Sequence, residues 1–257
     1  MAGILKLVVI LPINLCRGDA GLTILEAAVK EGCVQRGFKR WQAVVLAGGV
    51  CCSSVMAQLQ DFGVTQSVLD WVESRWDAQA RARVAEWPPH MRSTLKDHPD
   101  ELAKLQRAND FFNQVAWVQD IEHWGKEDYW ATPIETLASN GGDCEDFSIG
   151  KYVTLHHTRL DPEKLRITYV KALDYNQAHM VLAYYPSPSA EPLILDNINK
   201  TILPASERPD LFPIYSFNGS GLWLAKSRDK KLTTDTEKSL PQWREVNERM
   251  KAEGEVF

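Results

Sequence analysis

Gly141-Gly142-Asp143-Cys144-Glu145-Asp146-Phe147 reads as a turn that feeds straight into a helix. The glycines stop whatever precedes them, and Asp143 is a good N-cap residue. The predicted helix runs from Asp143 to Leu160, which puts Cys144 in its first turn. Unsatisfied N–H groups and the helix dipole favour a thiolate at such a position. The two glycines let another segment approach closely.

Upstream of this stretch the texture is helical. Thr132-Pro133-Ile134-Glu135 is a capping box with proline at the first helical position, and Asn140-Gly141-Gly142 ends that short helix. A longer helix is expected from Thr65 to Arg83, with Val68, Val72 and Trp76 in register and Pro88-Pro89 as its breaker. Another starts at Pro99-Asp100-Glu101 and carries Leu102, Leu105, Phe112 and Val115 on one face. Downstream of Pro162 the pattern changes to strands: Leu165 to Val170, Ala178 to Tyr185, Pro192 to Asp196, Pro213 to Phe217, and Gly221 to Ala225. Helices followed by a run of strands define an α+β class, with N-terminal helices packed on an antiparallel sheet. From Lys226 onward the chain is charged and reads as a surface helix or a loose tail.

The chain has 257 residues, 44% of them hydrophobic, enough for one sizeable core. A net charge of −5 and the lack of a long Lys/Arg run give no electrostatic footprint for nucleic acid. The five cysteines divide unevenly: Cys16, Cys33, Cys51 and Cys52 lie near the N-terminus, and Cys144 stands alone in the body. Basic Lys39-Arg40, the apolar run Ala43 to Cys52 and the small residues before Gln58 read as a leader cleaved after Ala57. That apolar run is too short for a good membrane span; the alternative is a buried helix. Residues 1–36 do not fit a normal signal peptide, and a true start near Val29 or Val34 explains them. Removal of 1–57 leaves one domain, 58–257, exported and not inserted in a membrane. Its lone thiol has no intramolecular disulfide partner and is read as a nucleophile.

His179 opens the apolar run His179-Met180-Val181-Leu182, and Asp196 closes the run Leu193-Ile194-Leu195. A hairpin joining these strands would set the two polar side chains together. A helix-borne cysteine facing a strand-borne histidine held by a carboxylate or amide is the logic of an activated thiol. Asn197 is the alternative orienter; neighbouring strand residues face opposite ways, so only one of the pair serves. The Cys144 backbone N–H is one oxyanion donor, with Trp130 and Asn113 as candidates for the second.

Asp128-Tyr129-Trp130-Ala131-Thr132-Pro133, Gly141 to Phe147, Lys151-Tyr152, Ala178 to Tyr185 and Leu195-Asp196-Asn197 occur in the order and spacing of a known family. From about Asn109 to Trp223 the chain closely resembles the bacterial transglutaminase-like cysteine proteinases, and among them the periplasmic type that releases biofilm adhesins. The resemblance implies a transglutaminase-like (papain-like) core and a Cys144–His179–Asp196 triad. It also implies cleavage near the N-terminus of a large surface adhesin, under an inner-membrane cyclic di-GMP receptor of the LapD type. A transglutaminase or cell-wall amidase would use the same triad with another acceptor, and a binding module would carry a dead site.

Asp143, Glu145 and Asp146 surround Cys144. Three carboxylates should raise the thiol pKa and oppose activation. A hard cation removes the conflict, and calcium takes six to eight oxygens. The resemblance likewise implies calcium, with Asp143, Glu145 and Asp146 as ligands. The alternative is that Asp143 caps the helix and the other two complement its dipole. No cysteine–histidine cluster has zinc spacing.

Overall fold

The computed structural model describes residues 62–224 and 231–254. The expected leader and its cleavage point lie outside the described residues.

Helix α1 (Gln66–Arg75) starts at Thr65, whose side chain accepts from the Val68 N–H. Helix α2 (Ala78–Asp97) restarts at Asp77, which accepts from the Ala80 N–H at 2.7 Å. The single helix expected over 65–83 is therefore two, divided by this second cap. Pro88 and Pro89 do not break α2; they lie inside it. A proline in a helix interior costs about 3 kcal/mol or more. Tertiary packing on both sides offsets that cost: Val84, Trp87 and Met91 are fully buried, and the Trp87 indole N–H donates to Thr154 Oγ1 at 2.8 Å.

Helix α3 (Glu101–Phe112), capped by Asp100, buries Leu105, Ala108 and Phe112. Leu102 is 61% exposed and Val115 lies beyond the helix end, so the expected face is half right. A two-residue strand β1 (Ala116–Trp117), the turn-length helix α4 (Asp120–His123), helix α5 (Pro133–Ser139) and strand β2 (Gly141–Gly142) follow. Thr132 and Glu135 form the expected capping box, and Asn140 ends α5 in the left-handed region at φ 54°.

Helix α6 (Cys144–His157) is buried along almost its whole length, from Glu145 to Leu155. It packs against strands on one side and against α3 and α5 on the other. At Gly150 the approach of α3 is so close that a Cβ would stand 2.1 Å from the Phe112 ring.

The sheet contains β3 (Leu165–Ala172), β4 (Gln177–Tyr184), β5 (Leu193–Leu195), β6 (Leu203–Pro204), β7 (Leu211–Asn218), β8 (Gly221–Leu224) and β9 (Lys231–Thr233). Their order is β6-β5-β4-β3-β7-β8-β9, antiparallel throughout. Alternation sorts the two faces. Leu165, Ile167, Met180, Leu182, Leu195 and Phe217 join the main core, while Val170, Val181, Ala183 and Ile194 form a smaller cluster. The expected strands are all present with small changes of end; β6 and β9 are too short for alternation to reveal.

Of the two readings for the chain after Lys226, the loose tail needs correction and the surface helix holds for one face only. The short helix α7 (Thr236–Ser239) leads into α8 (Pro241–Ala252), where Trp243, Val246 and Met250 are buried in the main core. Burying each is worth roughly 1.5–3 kcal/mol. Arg249 of α8 donates to the Trp130 carbonyl and Gln242 donates to Asp128 Oδ2 at 3.0 Å, so the helix braces the loop ahead of α5. Among the described residues no helix is long and apolar enough to cross a membrane.

Candidate active site

The start of α6 is fixed from several directions. Strands β1 and β2 pair in parallel, Ala116 with Gly141 and Trp117 with Gly142. Gly142 has no room for a side chain: a Cβ would lie 2.6 Å from Asp146 Oδ2. Asp146 is fully buried, and its two oxygens accept from the Ala131 N–H at 2.7 Å and the Asp143 N–H at 3.2 Å. Cys144 is then the first helical residue, with Asp143 at the N-cap as the sequence predicts.

His179 lies on β4, and Asp196 follows the last residue of β5. The antiparallel register, Leu182 opposite Leu195, brings the two together. His179 Nε2 lies 2.9 Å from Asp196 Oδ1, and both side chains are buried. Asp196 is held at every acceptor. Oδ1 also accepts from the Ile198 N–H at 3.0 Å, Oδ2 from Arg208 Nη2 at 2.7 Å, and its carbonyl from Asn113 Nδ2 at 3.0 Å. Burial works to raise the Asp196 pKa, but the bond and charge of His179, the Ile198 N–H and Arg208 together hold the carboxyl well below its usual range. Asn197, the alternative orienter, lines the neighbouring cleft, and its Oδ1 is buried without a partner.

Cys144 and His179 face the same cleft, about 570 Å³ in volume, together with Asp120, Asp143 and Asn197. Four exposed apolar side chains, Trp117, Ile121, Tyr175 and Ile198, also line it. The two candidate oxyanion side chains are engaged elsewhere: Asn113 with the Asp196 carbonyl, and the Trp130 indole N–H with Asp128 Oδ1 at 2.9 Å. The Cys144 thiol donates to Glu145 Oε2 at 3.1 Å. Burial, then the charges of Glu145 and Asp143, push the thiol pKa up.

The carboxylates around Cys144 form a larger group than the sequence suggested. Asp120, Asp128 and Glu145 present oxygens within 4.8 Å of one another, and so do Asp120, Asp143 and Asp146. Burial and the neighbouring Glu145 push Asp143 up to about 9, and burial pushes Glu145 up to about 7. Asp120 Oδ1 and Asp143 Oδ1 are buried with no hydrogen-bond partner. Converging oxygens, two of them unpartnered and all crowded by like charge, fit a hard divalent cation that takes many oxygen ligands. Asp120 and Asp128 went unnoticed as members of this cluster because they lie on a separate stretch of chain, Asp120 at the start of α4 and Asp128 in the loop after it; Asp128 stood at the head of the Asp128-Tyr129-Trp130 motif, the one signal available.

Two further polar residues had no role assigned from the sequence, although Lys151 stands in the Lys151-Tyr152 motif. Arg208 is 3% exposed behind Asp196. Lys151 is 1% exposed, two turns along α6 from Cys144 and on the same face. Burial pushes its pKa down to about 7, against the pull of Asp196.

A cysteine at the head of a buried helix, sharing a cleft with a histidine–carboxylate pair on an antiparallel sheet, defines the papain-like class of thiol hydrolases. The model of the bacterial transglutaminase-like cysteine proteinases matches residues 78–231. Three solved structures of Legionella pneumophila LapG align with the chain. One is 43% identical over 72% of this chain and 96% of that chain, with a TM-score of 0.61. The EGTA-treated form is 43% identical with the same coverages and a TM-score of 0.63. The calcium-bound form is 42% identical over 72% of this chain and 98% of that chain, with a TM-score of 0.62. Among curated proteins none matches. The chain belongs to the bacterial transglutaminase-like cysteine proteinases, and within them it is of the LapG type. Its α+β architecture is the transglutaminase-like fold of that family.

Proposed function

We propose that the chain is a calcium-dependent periplasmic cysteine endopeptidase that cleaves the N-terminal region of a large surface adhesin. In this reading Cys144 is the nucleophile, His179 its base and Asp196 the residue that orients the histidine. The observation that carries it is the 2.9 Å bond between His179 Nε2 and Asp196 Oδ1, at the wall of the cleft that also holds Cys144. With Nε2–H donating to Asp196, the Nδ1 lone pair is the one left to take the thiol proton.

The chemistry follows in balanced steps. Cys144 gives its proton to His179 Nδ1, and the thiolate attacks the scissile carbonyl carbon. The Cys144 backbone N–H, at the first helical position with no intrahelical partner, stabilises the oxyanion. The imidazolium returns the proton to the leaving amine and the C–N bond breaks. Water, deprotonated by His179, then hydrolyses the thioester and restores the thiol. The exposed Trp117, Ile121, Tyr175 and Ile198 offer an apolar surface for an extended peptide; that cleavage falls at a site rich in small residues is what the family resemblance implies.

Asp143, Glu145 and Asp146, with Asp120 and Asp128, would hold the calcium ion. When bound it supplies positive charge that offsets the carboxylates next to the thiol. The calcium-bound state of the Legionella pneumophila protein supports the choice of ion.

The remaining parts of the reading come from the leader and the family. A leader that ends at Ala57 directs export and is removed, leaving a periplasmic domain 58–257 that begins at Gln58; mass spectrometry of the native protein tests that start. An inner-membrane LapD-type cyclic di-GMP receptor sequesters the protease and sets when adhesin is released and the biofilm detaches. The functional test is incubation with the N-terminal region of a co-encoded adhesin, in calcium and in excess chelator. Cleavage only with calcium is expected. Equal cleavage in both contradicts the calcium requirement, and incorporation of an added amine in place of cleavage favours an acyl-transferring transglutaminase.

A further inference from the structure

Asp196 accepts from a guanidinium on the side away from His179. Arg208 Nη2 lies 2.7 Å from Asp196 Oδ2 and also 2.7 Å from Asp210 Oδ2, and Arg208 Nε lies 2.9 Å from Asp210 Oδ1. The Asp196 side chain is 0% exposed, that of Arg208 3%, and that of Asp210 33%. The groups therefore alternate in sign from the cleft outward: His179, Asp196, Arg208, Asp210. Arg208 Nη1 is buried with no partner. A buried, half-satisfied cation is weak evidence of a contribution to stability; its position behind the catalytic carboxylate asks for another reason.

We infer that Arg208, anchored and charge-balanced by Asp210, is a positioning residue for the His179–Asp196 pair, an inference that rests on the triad reading above. Two physical effects define the role. The Nη2–H bond to Oδ2 fixes the plane of the carboxylate, so that Oδ1 faces His179 Nε2. Without it only the Oδ1 bonds to the Ile198 N–H and His179 resist rotation about χ2, whose well is broad. The second effect is electrostatic. A guanidinium against Asp196 would cancel the negative charge that stabilises the imidazolium. Asp210 restores it, leaving the three groups Asp196, Arg208 and Asp210 with a net charge of −1, as a lone Asp196 would have. The local sequence builds this economically: the turn at Ala205–Glu207 delivers Arg208, and the Asp210 carbonyl is tied by the Leu173 N–H at 2.8 Å just before β7 begins.

The test uses the processed protein in calcium buffer, with iodoacetamide as probe and no substrate. Alkylation of Cys144 in wild type should be faster than in His179→Ala; equal rates would refute the triad reading itself and leave the inference without its basis. Given that difference, Arg208→Gln should slow alkylation roughly 10-fold or more, since loss of alignment at a reacting pair costs on that scale. The downfield proton resonance of the His179 Nε2–H should weaken with it. Arg208→Lys, which keeps the charge but loses the fork, should recover part of the rate. Should Arg208→Gln fail to fold, Asp210→Asn decides: its side chain is a third exposed, so the change spares the core, circular dichroism checks the fold, and it should slow alkylation roughly 3-fold by leaving the Arg208 charge uncompensated. Wild-type alkylation rate and an unchanged resonance in Asp210→Asn, or in a folded Arg208→Gln, would overturn the inference.

Discussion

The Cys144 thiol donates to Glu145 Oε2, 3.1 Å away, the carboxylate of the very next residue. A nucleophile in that state is held as a thiol, and the neighbouring charge opposes its ionisation. At an effective dielectric of about 20, one unit charge at about 6 Å is worth roughly 3 kcal/mol. Solvation and salt reduce this, yet a third of it still shifts a thiol by about 0.7 pKa unit. Calcium should therefore speed alkylation of Cys144 by roughly 5-fold over chelator, and magnesium should restore less because it keeps its waters and wants strict octahedral geometry. Equal alkylation rates in calcium and chelator would show that the carboxylates do not govern the thiol.

The same carboxylates link ion binding to pH. In the ion-free fold, burial and mutual repulsion raise Glu145 to about 7 and Asp143 to about 9. The unfolded chain releases these protons near pH 4. A carboxyl whose pKa is raised on folding stabilises the fold only below its unfolded pKa, and that stability is lost as pH rises through about 7 and then about 9. Calcium held by these carboxylates would displace the protons and remove the loss. The rise in Tm produced by calcium should thus grow between pH 5.5 and 9, and calorimetric titration near neutral pH should detect proton release. Comparing Tm with and without the ion cancels Lys151, whose lowered pKa changes stability in the opposite direction. A calcium increment that is flat with pH would count against ligation by these groups.

In the proposed calcium site, Asp120 and Asp128 extend the ligand set beyond the neighbours of Cys144. Asp120 is 3% exposed with an unpartnered oxygen, whereas Asp128 is exposed and already accepts from Trp130 and Gln242. Asp120→Asn should weaken calcium binding by roughly 10-fold, about 1.4 kcal/mol, and Asp128→Asn by less. Calorimetry on the two variants reads this directly; unchanged affinity in Asp120→Asn would remove that loop from the site.

How much of this was legible in the sequence follows from how local each signal is. The caps at Thr132 and Asp143 and the alternation of β3 and β4 are set within a few residues, and the structure keeps them. His179 and Asp196 end apolar runs, so a buried polar pair between adjacent strands was foreseeable. Signals that depend on distant packing were not. Pro88 and Pro89 stay helical because Trp87 is anchored to Thr154 on α6, 67 positions along the chain. The burial of α8 was written in the spacing of Trp243, Val246 and Met250, but its many charges concealed it. Asp120 joins the carboxylates only because β1 pairs with β2, two residues each, too short for any periodicity. Arg208 sits in a turn that reads as surface, and nothing nearby announces the carboxylate it holds.

Gly150 tests the packing that seats the nucleophile's helix. Alanine in a helix interior is favoured over glycine by about 0.5–1 kcal/mol. Here the added Cβ would stand 2.1 Å from the Phe112 ring, with both residues buried. Overpacking of a tight core costs roughly 1–3 kcal/mol, so the clash outweighs the propensity. Gly150→Ala should lower Tm; a raised Tm would mean that α3 and α6 part more easily than their contact indicates.

The central claim is that Cys144 attacks the scissile bond. It is tested most directly by incubating wild type, Cys144→Ala and His179→Ala with the N-terminal region of a co-encoded adhesin in calcium buffer, with circular dichroism on each variant. The account predicts one discrete cleavage by wild type and none by either variant, with all three spectra alike, because a cysteine at a helix start contributes little packing. Cleavage by folded Cys144→Ala at the wild-type site would contradict it.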